Sequence, residues 1–303
     1  MSNILEIKNL KKSFGPKEVL KDVTFSIPEG SIFGFVGVNG AGKTTTMKII
    51  LGLLAPDSGE VRVCGERVSG NGEKTNHYIG YLPDVPEFYG YMNAREYLMF
   101  IGEIAGFTGE KKARTEELLE LVGLAADSKR RIKGYSRGMK QRLGVAQALF
   151  ARPKLLICDE PTSALDPVGR KEILELLMAA KEETTVLFST HILSDVERVA
   201  DEIAMLNDGK IAFAGKPDEI LSEYAGSEYV LELSDRSAYI AFCEAFPEMF
   251  GEQPEKMPDG PIMIKDSESA GKVMQFLAGK KILPLKFEKK EADLESIFMK
   301  NLK

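Results

Sequence analysis

The 303-residue sequence predicts an α/β fold followed by a small α+β domain. Three observations carry this. Short apolar runs that read as strands alternate with helical stretches up to about residue 220, which implies a largely parallel sheet. A stretch at about 84–150 departs from the alternation and reads as helical. Past about Glu223 the pattern resets, and 221–303 is long enough to hold a core of its own.

The elements follow in order. Ile4 to Ile7 and Val19 to Ile27 alternate as strands, and Pro28-Glu29-Gly30 makes a turn. Ser31 to Val36 is a nearly continuous apolar run with a glycine-rich exit, the mark of a fully buried strand. A helix runs from Lys43 to about Leu53 and stops before Ala55-Pro56. Glu60 to Val63 and Glu66 to Val68 form a hairpin around Cys64-Gly65. Asn93 and Glu96 are spaced as a capping box, and Tyr97, Leu98, Ile101, Ile104 and Ala105 follow at helical spacing. Ala113 to Val122 and Gly138 to Phe150 are further helices. Leu155 to Cys158 is a strand that ends in Asp159-Glu160. Lys171 to Lys181 is a helix, Thr185 to Phe188 a strand and Ser194 to Ala200 a helix. Glu202 to Leu206 and Lys210 to Ala214 make a hairpin around Asn207-Asp208-Gly209. In the last part Tyr229 to Leu233, Pro261 to Ile264 and Leu283 to Phe287 read as strands. Ala238 to Phe246, Ala270 to Leu277 and Asp293 to Asn301 read as helices.

Composition narrows the function classes. Forty-six acids against 40 bases give a net charge of −6, a poor balance for gripping nucleic acid through phosphates. The one basic run, Lys129-Arg130-Arg131 with Lys133, is short and reads as a solvated face. No apolar run approaches the ~18 residues of a membrane span, and Met1 to Lys12 lacks the form of a signal peptide. Three unpaired cysteines and two histidines leave little for a disulfide framework or a zinc site, and suggest a reducing compartment.

The chemistry is concentrated in two motifs. Gly37-Val38-Asn39-Gly40-Ala41-Gly42-Lys43-Thr44 fits G-x-x-x-x-G-K-S/T between a buried strand and a helix, the setting of a P-loop. Gly37, Gly40 and Gly42 let the backbone curl, so that N–H groups of Asn39, Ala41 and their neighbours point at phosphate oxygens. The helix N-terminus adds a positive dipole end. Lys43 brings a full charge to the β- and γ-phosphates, and Thr44, with Thr45 beside it, offers a hydroxyl to Mg²⁺. Asp159 and Glu160 close a buried strand, where α/β sheets bind ligands. Asp159 is placed to hold Mg²⁺ and Glu160 to polarise an attacking water.

Tyr135-Ser136-Arg137-Gly138-Met139-Lys140-Gln141 adds a third motif, 23 residues before Asp159 and opening a helix. With the two above it resembles the ATP-binding subunits of ABC transporters. Ser136 and Gly138 match the LSGGQ signature, while Arg137 and Met139 depart from it. Ser163 to Asp166 resembles the D-loop, and Ser189-Thr190-His191 the switch whose histidine contacts the γ-phosphate. Phe14, 29 residues before Lys43, stands where the family stacks an aromatic on adenine; core packing is the other reading. Asp84 stands where the family usually has Gln. It either ligates Mg²⁺ as a hard oxygen donor or caps a turn before Pro86.

The resemblance covers about residues 1–220 and implies a P-loop NTPase core with an antiparallel β-subdomain and a helical subdomain at about 84–150. Residues 221–303 resemble the C-terminal extension of efflux ATPases of the ABC-2 type. Implied with it are ATP and Mg²⁺, hydrolysis that powers transport, and a cytoplasmic position on the inner face of the membrane. A separate transmembrane permease, docked near Asp84 to Phe107, is implied, and so is a second copy bound head to tail in the presence of ATP. Each site then takes Ser136 and Gly138 from the opposite copy. Two alternatives explain less. A soluble ABC ATPase acting on ribosomes or DNA usually carries two cassettes or a long coiled coil. A small-molecule kinase accounts for the P-loop but leaves Tyr135 to Gln141 unexplained.

Overall fold

The computed structural model describes residues 2–69, 74–223, 228–247, 261–290 and 294–301. The chain divides into two compact units. One runs to Ile220 and takes in the chain from Phe298, and the other is Leu221–Ile297. The sequence reading gives the whole of 221–303 to the second.

The first unit is built on ten strands: β1 (Asn3–Phe14), β2 (Lys17–Pro28), β3 (Ile32–Val36), β4 (Ser58–Val63), β5 (Glu66–Arg67), β6 (Ile79–Leu82), β7 (Leu155–Cys158), β8 (Thr185–Thr190), β9 (Glu202–Asn207) and β10 (Lys210–Gly215). Their order is β5-β4-β1-β2-β10-β9-β3-β8-β7-β6. Parallel pairing runs through β9-β3-β8-β7-β6, with one further parallel bridge between β10 and β2. The other pairs are antiparallel, so the sheet is mixed rather than largely parallel. Every residue of β3, β7 and β8 is buried, which is why β3 and β7 read as unbroken apolar runs and β8 carries one from Val186 to Phe188. The rings of Phe25, Phe33 and Phe35 stack at 5.2–5.4 Å in the adjoining core.

The first unit's helices are α1 (Lys43–Ile50), α2 (Ala94–Ile104), α3 (Lys111–Leu121), α4 (Arg137–Leu149), α5 (Pro167–Ala180) and α6 (Leu193–Val199); α7 (Pro217–Glu223) follows β10. The expected capping box opens α2: Glu96 N–H donates to Asn93, and Asn93 N–H to the Glu96 carboxylate, each at 3.0 Å. Helix α4 lies close on β6, since a Cβ at Gly144 would stand 2.5 Å from Leu82 Cδ1. That contact carries the Asp84 segment and the start of α4 on neighbouring elements.

In the second unit β11 (Tyr229–Leu233) is flanked by β12 (Ile262–Ile264) and β13 (Pro284–Lys289), all antiparallel. Helices α8 (Arg236–Ala245) and α9 (Ser267–Lys280) pack on this sheet through Leu231, Ile264, Phe242 and Val273. Asp235 and Asp266 cap the two helices. The last helix, α10, is Leu294–Asn301; its expected first residue, Asp293, lies outside the described residues. Among the described residues no helix is long and apolar enough to cross a membrane.

Candidate active site

The site grows from the carboxyl ends of β3, β7 and β8, which lie side by side. The loop leaving β3 is tied down at once: Gly37 N–H donates to Thr190 O at 3.3 Å, on the end of β8. A Cβ at Gly37 would meet Leu206 O at 2.6 Å. Gly42 has φ +116 and would put its Cβ 2.6 Å from Leu20, so only glycine fits either place. Gly42 is also the N-cap of α1 and supplies no side chain to cap it. The first N–H groups of α1 are therefore left for an anion. Asn39 and Gly40 are exposed on the loop and Thr44 in the first turn of α1, while Ala41 is buried and Thr45 half-buried.

Lys43 is only 6% exposed. Its ammonium donates to Gly37 O at 2.7 Å and pairs with Glu160 Oε1 at 3.1 Å. The other oxygen of Glu160 lies 2.8 Å from His191 Nδ1. One carboxylate thus joins the P-loop lysine to the histidine after β8. Glu160 occupies the left-handed region at φ 49, a conformation that needs holding in place.

Ser189, on β8, provides part of that hold. Its hydroxyl donates to Asp159 Oδ1 at 2.6 Å and accepts from Glu160 N–H at 2.9 Å. Asp159 is buried, and its own N–H donates to Leu82 O at 2.8 Å. One serine thereby fixes both adjacent acids. Sequence reasoning quoted Ser189 only as part of the switch. The available signal was the pairing of two parallel strands that both end in polar residues.

Asp84 follows β6 at the rim. Its Oδ1 is shielded from solvent and makes no hydrogen bond; Arg137 Nη2 is 3.9 Å away. Burial pushes its carboxyl above the usual carboxylate range, Arg137 counteracts this, and Asp159 and Glu160 add to the rise. Burial, reinforced by Asp159, likewise pushes the Tyr81 hydroxyl up to about 12. Cys158 is fully buried with its thiol pushed up by burial, which leaves it inert.

Phe14 stands at the end of β1, half exposed, with the Lys12 ammonium 5.6 Å from its ring centre. Its exposure rules out the core-packing reading. Ser136 caps α4, accepting from Met139 N–H at 3.2 Å, and is exposed; Gly138 has open space at its α-carbon. No hydrogen bond or ion pair among the described residues joins Ser136 or Gly138 to the Lys43–Glu160 cluster. Asp166 caps α5 at the end of the D-loop segment, and Ala164 within it has φ 52.

Among the described residues no three His, Cys, Asp or Glu side chains converge as a ready-made metal site. The oxygens present suit Mg²⁺, which takes one or two protein ligands and completes its shell with phosphate and water. They are the exposed Thr44 hydroxyl, the Asp159 carboxylate with one oxygen engaged by Ser189, and the unbonded Asp84 Oδ1.

A family model described as ABC transporter matches residues 20–163. The chain is 36% identical over 298 residues to the uncharacterized ABC transporter ATP-binding protein YxlF of Bacillus subtilis (strain 168), covering 98% of this chain and 99% of that one. This chain belongs to the ABC transporter ATP-binding proteins. Such a protein binds ATP, hydrolyses it to power transport, and works with membrane permease components. The bacitracin transport ATP-binding protein BcrA of Bacillus licheniformis is 35% identical, covering 99% of this ABC subunit and 97% of its own length. Among solved structures, an ATP-binding subunit of an ABC transporter superposes with a TM-score of 0.65 at 32% identity, covering 73% of this chain and 93% of that one. CbiO1 of Clostridium perfringens, part of the ABC transporter complex cbiONQ, gives 0.68 at 25% identity, covering 74% and 92%. These comparisons lend no support to a kinase or to a ribosome- or DNA-directed ATPase.

Proposed function

We propose that this ABC subunit drives export through a separate membrane permease by closing head to tail on a second copy when ATP binds. The full-length similarity to a bacitracin transport protein supports an antibiotic-like cargo. In this reading the subunit sits in the cytoplasm, on the inner face of the membrane. Lys43 and the free N–H groups of α1 hold the β- and γ-phosphates, and Phe14 stacks on adenine. Mg²⁺, held by Thr44 and Asp159 with Asp84 at hand, neutralises phosphate charge when bound. Glu160 takes the proton of the attacking water. His191 orients Glu160 and faces the γ-phosphate, so it senses whether that phosphate is present. Ser136 and Gly138 of the opposite copy present the N-terminus of α4 to the same phosphate. Hydrolysis removes the shared charge and lets the pair open.

The observation that carries this is the Glu160 carboxylate shared between Lys43 at 3.1 Å and His191 at 2.8 Å. A carboxylate that bridges the P-loop lysine and the switch histidine is placed for work on the terminal phosphate. Glu160→Gln keeps the shape and removes the base. Turnover should fall by about 10²–10⁴-fold, the usual worth of a general base, with ATP binding retained. Phosphate release and titration of a fluorescent ATP analogue measure the two quantities. Near-normal turnover in the variant would move the base elsewhere.

A further inference from the structure

A second buried polar group lies just behind the hydrolytic residues. Asp195 is 3% exposed and Thr162 1% exposed. The Thr162 hydroxyl donates to Asp195 Oδ2 at 2.7 Å, and Arg170 Nη2 donates to Asp195 Oδ1 at 2.6 Å. Each carboxylate oxygen therefore has a short, directed partner.

The three residues come from three segments. Thr162 is two residues past Glu160 and immediately precedes the D-loop stretch, Ser163 to Asp166. Asp195 is in the first turn of α6, four residues past His191. Arg170 is in the first turn of α5, where its N–H donates to Asp166 O at 2.9 Å. The segments after β7 and β8 are thus joined twice, by His191 to Glu160 and by Asp195 to Thr162. Together with the chain these bonds close a ring through Glu160, Thr162, Asp195 and His191.

An ionised carboxylate is a costly thing to bury, and apolar residues of the same volume commonly stabilise a core as well or better. Stability alone gives little reason for a charge here. A reason appears in the direction of the bonds, since each fixes one loop relative to another. We propose that Thr162, Asp195 and Arg170 are positioning residues for hydrolysis: they lock the D-loop to the switch helix, so that Glu160 and His191 are set by how the D-loop is seated. This rests on the reading of Glu160 and His191 as the hydrolytic pair. Under that reading the D-loop faces the second copy. A shift of the Thr162–Asp166 stretch on closure must then carry Asp195, and with it His191, or break the short Thr162–Asp195 bond.

The test uses the full chain and an isosteric comparison. Thr162→Val keeps the volume and removes the hydroxyl; Thr162→Ser keeps the hydroxyl. Thr162→Val should lower kcat about ten- to a hundred-fold, the scale on which a misplacement of about an ångström acts, while ATP affinity stays unchanged. Thr162→Ser should retain wild-type kcat. If Thr162→Val fails to fold, Arg170→Gln, at a side chain 29% exposed, replaces it with the same expectation. Wild-type kcat in the hydroxyl-free variant would overturn the proposal. So would parallel loss of ATP affinity and kcat, which is the mark of mere structural damage, or a Ser variant as poor as the Val one. Glu160→Gln is assayed alongside. Normal turnover there would bring down the assignment of the base, whereas a failed Thr162 comparison beside an inactive Glu160→Gln brings down only the positioning role.

Discussion

Glu160 is held at three points, its N–H by Ser189 and its two carboxylate oxygens by Lys43 and His191, with its backbone in the left-handed region. Such a backbone costs about 1–3 kcal/mol and persists where its surroundings over-determine it. Asp84 is held less tightly: its side chain is half exposed, its Oδ1 makes no hydrogen bond, and its ion-pair partner Arg137 is 3.9 Å away. Its folded-state pKa lies above the unfolded value, chiefly through burial. The protonated form is therefore favoured by folding, and that contribution is lost as pH rises through the raised pKa. At neutral pH the ionised Asp84 destabilises the fold. Asp84→Asn should raise the melting temperature at pH 7.5, and the gain should shrink as pH is lowered towards the carboxylate range. Thermal unfolding of both proteins from pH 7.5 to 5 checks this. A gain that does not vary with pH would point to packing rather than charge.

The P-loop, Asp159 and Glu160 were legible at this scale because each motif is local, and its spacing encodes its geometry. Ser189, Thr162 and Asp195 were not. Their roles arise from side chains brought together when β7 and β8 pair in parallel, Cys158 opposite Phe188, and 30 residues or so of chain separate the partners.

At the scale of elements, caps and glycines told more than apolar periodicity. The capping box at Asn93 found the start of α2, while α4, read from Gly138, begins at Arg137 behind the Ser136 cap. Strand β1 runs from Asn3 to Phe14, yet only Ile4 to Ile7 alternates clearly. Register shifts between Ile7 and Leu10 and between Leu10 and Lys12 break the period of two, with Asn9 at φ 49. Strand β6, four residues long at the sheet edge, gave no separate signal. Helix α7 was too short to show a stripe. Ser136 has a double role in this account, and the two parts separate. Ser136→Ala should cost about 1 kcal/mol of stability as a lost N-cap, read from the denaturant midpoint. It should leave ATP binding by the single chain unchanged, because Ser136 makes no bond to its own P-loop cluster. Weakened binding in the single chain would place the signature serine in its own site.

Over the whole molecule, the solved cassettes cited cover 73–74% of the chain, while YxlF and BcrA align over 98–99% of it. The second unit, Leu221–Ile297, has a sheet and a core of its own. In the sequence the pattern of strands and helices resets after about Glu223, and in the structure the second unit begins at Leu221.

We propose that the site is completed by a second copy. Glu160→Gln, which retains ATP without turning it over, is the form in which the pair should accumulate. Light scattering of this variant with and without ATP is the most direct measurement. The mass should double on adding ATP, since the nucleotide binds the closed pair in preference to the single chain. Ser136→Arg in the same background should hold it at the monomer value by placing bulk and a cation at the shared phosphate. A pair that forms equally well without nucleotide, or that survives Ser136→Arg, would contradict the composite site.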